Sequence, residues 1–187
     1  MNHTDAALAF FEDHYDQDLK ALKELVRIPS VSTDPEHKQD MLRAAEFLAE
    51  KLRGMGAKTV ELFPTSIHPI LYGEITSSMA DAPTLLIYGH YDVQPADPLN
   101  EWSTPPFEPT ERGEYLLARG ASDMKGQVMA TFSAVESALR TGELGLNLKF
   151  LIEGEEEIGS PNLDDFIEAH KDLLKCDMVL NPDSGMI

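Results

Sequence analysis

The chain has 187 residues, enough for one domain with its own core. Its 42% hydrophobic and 26% charged residues are a globular composition, not that of a disordered chain. Fifteen Lys+Arg against 33 Asp+Glu give a formal net charge of -18, which repels phosphate backbones and excludes nucleic acid as an expected partner.

Met1 to Asp5 carries neither the basic nor the apolar region of a secretory signal, so a cytoplasmic protein is expected. From about Ala6 to Arg27 apolar residues recur at helical spacing (Leu8, Phe11, Tyr15, Leu19, Leu22, Leu25), with Asp5 or Thr4 as cap and Pro29 as stop. A second helix carries Met41, Leu42, Ala45, Leu48 and Leu52 and ends at Gly54 or Gly56. Then the period shortens. Thr59 to Phe63, Ile70 to Ile75 and the apolar run Thr84 to Tyr88 read as strands. Proline-rich residues 95 to 109 read as an ordered loop, and Tyr115 to Ala118 as a short strand. A helix over Gly126 to Leu139, a strand over Leu146 to Ile152, a helix over Asn162 to His170 and a buried strand Met178 to Leu180 complete the chain. No apolar run approaches the ~18 residues of a membrane helix, so no membrane partner is expected. The single cysteine, Cys176, cannot form an internal disulfide and reads as a buried or half-buried thiol. Strands alternating with helices predict an α/β fold: a three-layer α/β/α domain over residues 1–187 around a mostly parallel mixed sheet.

Four short segments follow strand ends or occupy glycine turns, where open α/β sheets gather ligands. In Gly89 to Pro95, His90 directly follows a strand, and Asp92 leaves an extended backbone on the same side. That suits a metal-binding imidazole held by a carboxylate, though taken alone the pair is better explained as a satisfied strand-end histidine beside a turn aspartate. Asp123 lies between Gly120 and Gly126 and reads either as a bridging carboxylate or as a helix N-cap. Glu153, Glu155, Glu156 and Glu157 crowd one strand end. They form either a solvated acidic turn or a cluster neutralised by a cation, with one glutamate as ligand and another as proton carrier. Asp183, after the last strand, is a terminal ligand or a turn residue. Together they offer one imidazole and several carboxylates, a set for two divalent cations, zinc before manganese or cobalt.

These motifs in series resemble the co-catalytic zinc metallopeptidase family, which includes carboxypeptidase G, carnosinase, cytosolic nonspecific dipeptidase, aminoacylase and succinyl-diaminopimelate desuccinylase. The matching stretches are Gly89-His90-Tyr91-Asp92-Val93-Gln94-Pro95, Arg119-Gly120-Ala121-Ser122-Asp123-Met124-Lys125-Gly126, Glu153-Gly154-Glu155-Glu156-Glu157-Ile158-Gly159-Ser160 and Asn181-Pro182-Asp183. Asp92 to Pro95, with Trp102 and Pro106-Phe107, looks most like the dipeptidase branch. The resemblance implies two Zn²⁺, one bound by His90 and Asp183, the other by Glu157, with Asp123 bridging. It implies that Asp92 orients His90, that Glu156 is the general base, and that the bond after Asp123 is cis. Substrates would be dipeptides or short peptides, with N-acyl amino acids as the alternative. Family members are longer: they insert a lid domain that often dimerises, then complete the catalytic domain with a last histidine ligand. This chain would therefore be the N-terminal part of that domain, and a non-catalytic truncated domain is the competing expectation.

Overall fold

Helix α1, His3–Val26, begins where the Asn2 side chain accepts the Asp5 amide. The start lies earlier than Ala6, and Asn2 replaces Asp5 or Thr4 as cap; asparagine is an equally good acceptor for the first free amides. The computed structural model describes residues 2–185. Pro35–His37 form a single 3-10 turn that leads into α2, Lys38–Gly54. Helix α2 buries Met41, Ala44, Ala45, Leu48, Ala49 and Leu52, a stripe at the three- and four-residue spacing of one helix face.

Seven strands follow in chain order: β1 Thr59–Phe63, β2 Ile70–Ile75, β3 Thr84–His90, β4 Thr110–Arg112, β5 Tyr115–Leu117, β6 Asn147–Glu153 and β7 Met178–Leu180. Helix α3, Lys125–Thr141, separates β5 from β6; α4, Leu163–Ala169, and α5, Lys171–Leu174, precede β7. The main sheet has the order β1-β2-β6-β3-β7, while β4 and β5 pair as a separate hairpin. Strand β2 is antiparallel to both neighbours; β6–β3 and β3–β7 are parallel. Only β2 therefore opposes the common direction, and the sheet is mixed and mostly parallel, as expected.

Period-2 alternation divides the strands between two cores. Leu71, Ile75, Ile87, Leu148, Phe150 and Ile152 pack under α1, α2 and α3. Ile70, Tyr72, Leu86 and Leu151 face Phe166 of α4 and Leu174 of α5. Each buried Leu, Ile or Phe contributes about 1.5–3 kcal/mol, so both helical layers are fixed to the sheet chiefly by area removed from water.

One expectation is corrected. β7 is exposed, with Met178, Val179 and Leu180 at 46%, 62% and 41%. It forms the sheet edge with β3 as its neighbour, and an apolar triplet does not encode which strand lies outermost. The helix expected over Asn162 to His170 is α4; His170 then leaves helical geometry at φ -121°, ψ 28°, and the short α5 follows it. Strand β4 lacks any apolar alternation and exists only as the partner of β5. Among the described residues no helix is long and apolar enough to cross a membrane.

Candidate metal centre

Parallel β3 and β6 end side by side, with His90 paired to Glu153, so both chains turn out of the sheet at one rim. His90 is fully buried, and its amide donates to the Met124 sulfur at 3.2 Å, joining β3 to the start of α3. Its ring is held at Nδ1 by the Asp92 backbone carbonyl at 3.1 Å and the Asp92 carboxylate at 3.3 Å. Nε2 is left pointing outward, 3.1 Å from Asp123 Oδ1, 3.7 Å from Asp183 Oδ2 and 3.9 Å from Glu156 Oε2. His90, Asp123 and Asp183 each present a ligand atom within 4.8 Å of the others.

Asp92 is also fully buried and has a second set of partners. Its carboxylate accepts the backbone amides of Glu156 at 3.3 Å and Glu157 at 3.0 Å. The same side chain thus fixes the His90 ring and the Glu156–Ile158 3-10 turn. Glu157 lies outside the His90–Asp123–Asp183 group; its Oε2 accepts the Gln94 amide at 2.7 Å. The Asp123–Met124 peptide bond is cis.

The acidic run after β6 divides into two pairs. Glu153 is buried and accepts the Tyr88 hydroxyl at 2.7 Å and the Ser160 hydroxyl at 2.9 Å. Glu155 is buried and accepts the Thr65 hydroxyl at 2.6 Å, the His68 amide at 2.9 Å and the Asn162 side-chain amide at 2.7 Å. These two acids are satisfied by the protein's own donors and anchor the turn, while Glu156 and Glu157 face the site. Between them Gly154 packs against the buried Tyr91 ring so closely that a Cβ would fall inside it. The expectation that the whole acidic crowd awaits a cation is thereby narrowed. Tyr88, Thr65 and His68 lie 65 to 90 positions away, and no local pattern in the sequence announces them. Sequence reasoning also gave no role to Gln94, Gln127, Lys125 or His68, which the fold builds into or around the site.

The electrostatics follow from that crowding. Burial lowers the His90 pKa, but the Asp92 hydrogen bond and charge, then Glu156 and Asp123, raise it to about 9. Burial pushes the Glu157 carboxyl up; the Gln94 amide pulls it back and the Asp123 charge pushes it up again. Burial likewise raises Glu153, against the pull of the Tyr88 and Ser160 hydroxyls. Among the described residues no Lys or Arg forms an ion pair with Asp92, Asp123, Glu156, Glu157 or Asp183. One imidazole nitrogen facing carboxylate oxygens from separate loops is a donor set that borderline and hard divalent cations take, and the residues present fit such ions.

Known proteins resemble the chain in sequence and in fold. It is 38% identical over 177 residues to "Beta-Ala-His dipeptidase" of Homo sapiens, covering 87% of this chain and 34% of the relative. It is 34% identical over 167 residues to "Cysteinylglycine-S-conjugate dipeptidase" of Corynebacterium striatum, covering 89% and 36%. Its fold matches human carnosine dipeptidase 1 with a TM-score of 0.89 at 32% identity, over 98% of this chain and 42% of that one. It matches an M20 family metallo-carboxypeptidase of Sulfolobus solfataricus with a TM-score of 0.83 at 42% identity, over 90% and 38%. The chain thus spans little more than a third of the length of the curated relatives it matches. Residues 86–186, which hold most of β3, all of α3 and β6 and all six candidate site residues, match the pattern of peptidase family M20/M25/M40, and the chain belongs to that family.

Proposed function

We propose that the whole protein hydrolyses dipeptides, or releases the C-terminal residue of short peptides, with two divalent cations, zinc before manganese or cobalt. The observation that carries this reading is the convergence of His90, Asp123 and Asp183 on one point, with Glu156 beside it. The names of the dipeptidase relatives support it. In this reading His90 and Asp183 hold one cation, Glu157 holds the other and Asp123 lies between. Such cations would supply Lewis acidity towards a substrate carbonyl and a water.

The chain's own residues do the rest. Asp92 keeps His90 Nδ1 occupied, so Nε2 faces the site as the free donor. Glu156, half exposed at the end of the Asp92-held turn, takes a proton from the attacking water and returns it to the departing amine. Positioned acid–base help of this kind is worth about 10²–10⁴-fold in rate. The test is Glu156→Gln in the full-length protein: we expect that loss of turnover with metal content retained. Normal turnover at full metal occupancy removes Glu156 from this role.

A deacylase of N-acyl amino acids is the second reading. It is favoured by 35% identity over 150 residues to a "Succinyl-diaminopimelate desuccinylase" of Delftia acidovorans. Parallel assays on dipeptides and N-acyl amino acids separate the two. A homodimer of the full-length protein and a cytoplasmic location belong to the same proposal. Zinc content of the purified chain tests the competing non-catalytic reading: it predicts none, or a single ion.

A further inference from the structure

Asp123 and Asp183 reach the site on separate loops, one just before α3 and one after β7, sixty residues apart in the chain. Ser122 and Asp123 are exposed, and Asp183 stands in a turn after the three-residue edge strand β7, stabilised within itself by its amide donating to Asn181 Oδ1 at 3.0 Å. Asp123 itself is exposed and no residue of the 181–185 turn is buried, yet the two carboxylates must meet His90 Nε2 within a few tenths of an ångström to share a cation.

Gln127, on the first turn of α3, spans the gap. It is only 5% exposed, and its Nε2 donates to the Ser122 carbonyl at 2.6 Å and the Ser184 carbonyl at 2.9 Å. Ser122 immediately precedes Asp123, and Ser184 immediately follows Asp183. One buried NH₂ group therefore holds the backbone beside both carboxylate ligands. Among the described residues it makes the side-chain hydrogen bond that joins the 181–185 turn to α3. Gln127 is itself rigidly placed: its backbone carbonyl accepts the Thr131 hydroxyl at 2.8 Å, one helical turn on. Among the described residues its Oε1 is buried with no partner. Packing alone would not retain a glutamine whose oxygen is unsatisfied; the position costs stability and keeps the two-donor end.

We propose that Gln127 is a positioning residue that sets the separation of Asp123 and Asp183, and so the affinity of the His90–Asp123–Asp183 half-site for a divalent cation. This rests on the metallopeptidase reading of the site. Gln127 reaches no cation and no substrate; it acts through two backbone carbonyls. Methionine has nearly its shape, lacks both donors, and removes the orphaned oxygen. In Gln127→Met the metal-free fold is expected to survive while the ligands lose their spacing.

The experiment titrates the purified chain and Gln127→Met with Co²⁺, followed by d–d absorption, and with Zn²⁺ by calorimetry, alongside thermal melts without metal. The expected result is an unchanged metal-free melt, a 10–100-fold loss of affinity, the range typical for groups that orient ligands, and an altered cobalt spectrum. Gln127→Asn, one methylene short of bridging both carbonyls, is expected to fall between. Should Gln127→Met not fold, the unmodified chain answers instead. Its Gln127 side-chain amide protons are expected to exchange far more slowly than those of a free glutamine, and more slowly again on Zn²⁺ addition. Equal affinity and an identical cobalt spectrum in Gln127→Met, or free-glutamine exchange in the zinc-loaded chain, overturns the assignment of Gln127 alone. An unmodified chain that takes up no Co²⁺ or Zn²⁺ overturns the metallopeptidase reading with it.

Discussion

Glu155 and Glu156 are adjacent in the chain and identical in chemistry, yet removing the first should destabilise the fold and removing the second should leave it nearly unchanged. Truncating Glu155 to alanine removes the acceptor of three hydrogen bonds. Two donors recover. The Thr65 hydroxyl already has the His68 carbonyl at 2.7 Å as an alternative, and Asn162 is only partly buried and can turn to water. The backbone amide of His68, 6% exposed, cannot. A buried donor left unsatisfied costs about 1–3 kcal/mol, and loss of hydrogen bonds to a charged acceptor adds a similar amount, so Glu155→Ala should cost about 4 kcal/mol. For a chain of this size that is roughly 10 °C in Tm. Glu156→Ala removes one half-exposed member of a like-charged group and should leave the metal-free melt within about 0.5 kcal/mol of the parent. Thermal and urea unfolding of both variants, followed by circular dichroism, checks this. A Glu155→Ala chain within about 1 kcal/mol of the parent, or a Glu156→Ala chain equally destabilised, refutes the division of the acidic run into anchoring and site-facing pairs.

Gly154→Ala should destabilise by about 1–3 kcal/mol through overpacking against Tyr91, read as a lower Tm, and displace the Tyr91 hydroxyl from the Pro69 carbonyl that it meets at 2.6 Å. In the metal-free chain His90 keeps its proton up to about pH 9, so a bound cation must displace it. Zinc affinity should then fall about tenfold per pH unit as pH drops below that value, measured by calorimetry at three pH values. Lys125 is fully buried with its ammonium on the Leu25 and Ile28 carbonyls, and burial lowers its pKa to about 7 against weaker upward pulls from Asp92 and Asp40. Between pH 7 and the ordinary lysine value of 10.5 the unfolded chain binds the extra proton, so this residue's contribution to stability rises with pH across that window. His90 works oppositely: its raised pKa stabilises below 6.5 and that benefit is lost as pH rises through about 9. The difference between the parent and Lys125→Met in unfolding free energy isolates the lysine and should rise with pH; a flat difference contradicts it.

The sheet strands and long helices were legible because their signals are local. The α2 stripe and the apolar runs of β3 and β6 each span a few consecutive residues, and the structure places all three where the pattern does. The four candidate segments were legible as motifs at strand ends or glycine turns, and four of the other five residues meet around His90. What stayed hidden depends on distant partners. The roles of Glu153 and Glu155 are decided by Tyr88, Thr65, His68 and Asn162, and nothing near the acidic run distinguishes a satisfied glutamate from a free one. Gln127 looked like any polar residue opening a helix, because its partners are carbonyls, which every residue has. β4 and the edge position of β7 were invisible for the same reason: pairing, not composition, creates them.

Because Asp92 grips an imidazole with one edge and the Glu156 and Glu157 amides with its two oxygens, the aim of the ring and the height of the base are one mechanical variable. A change at Asp92 disturbs both partners at once, so a second lesion at Glu156 finds part of its damage already done. Evolution cannot adjust either partner by itself, and substitutions across this trio should combine with less than the sum of their separate effects.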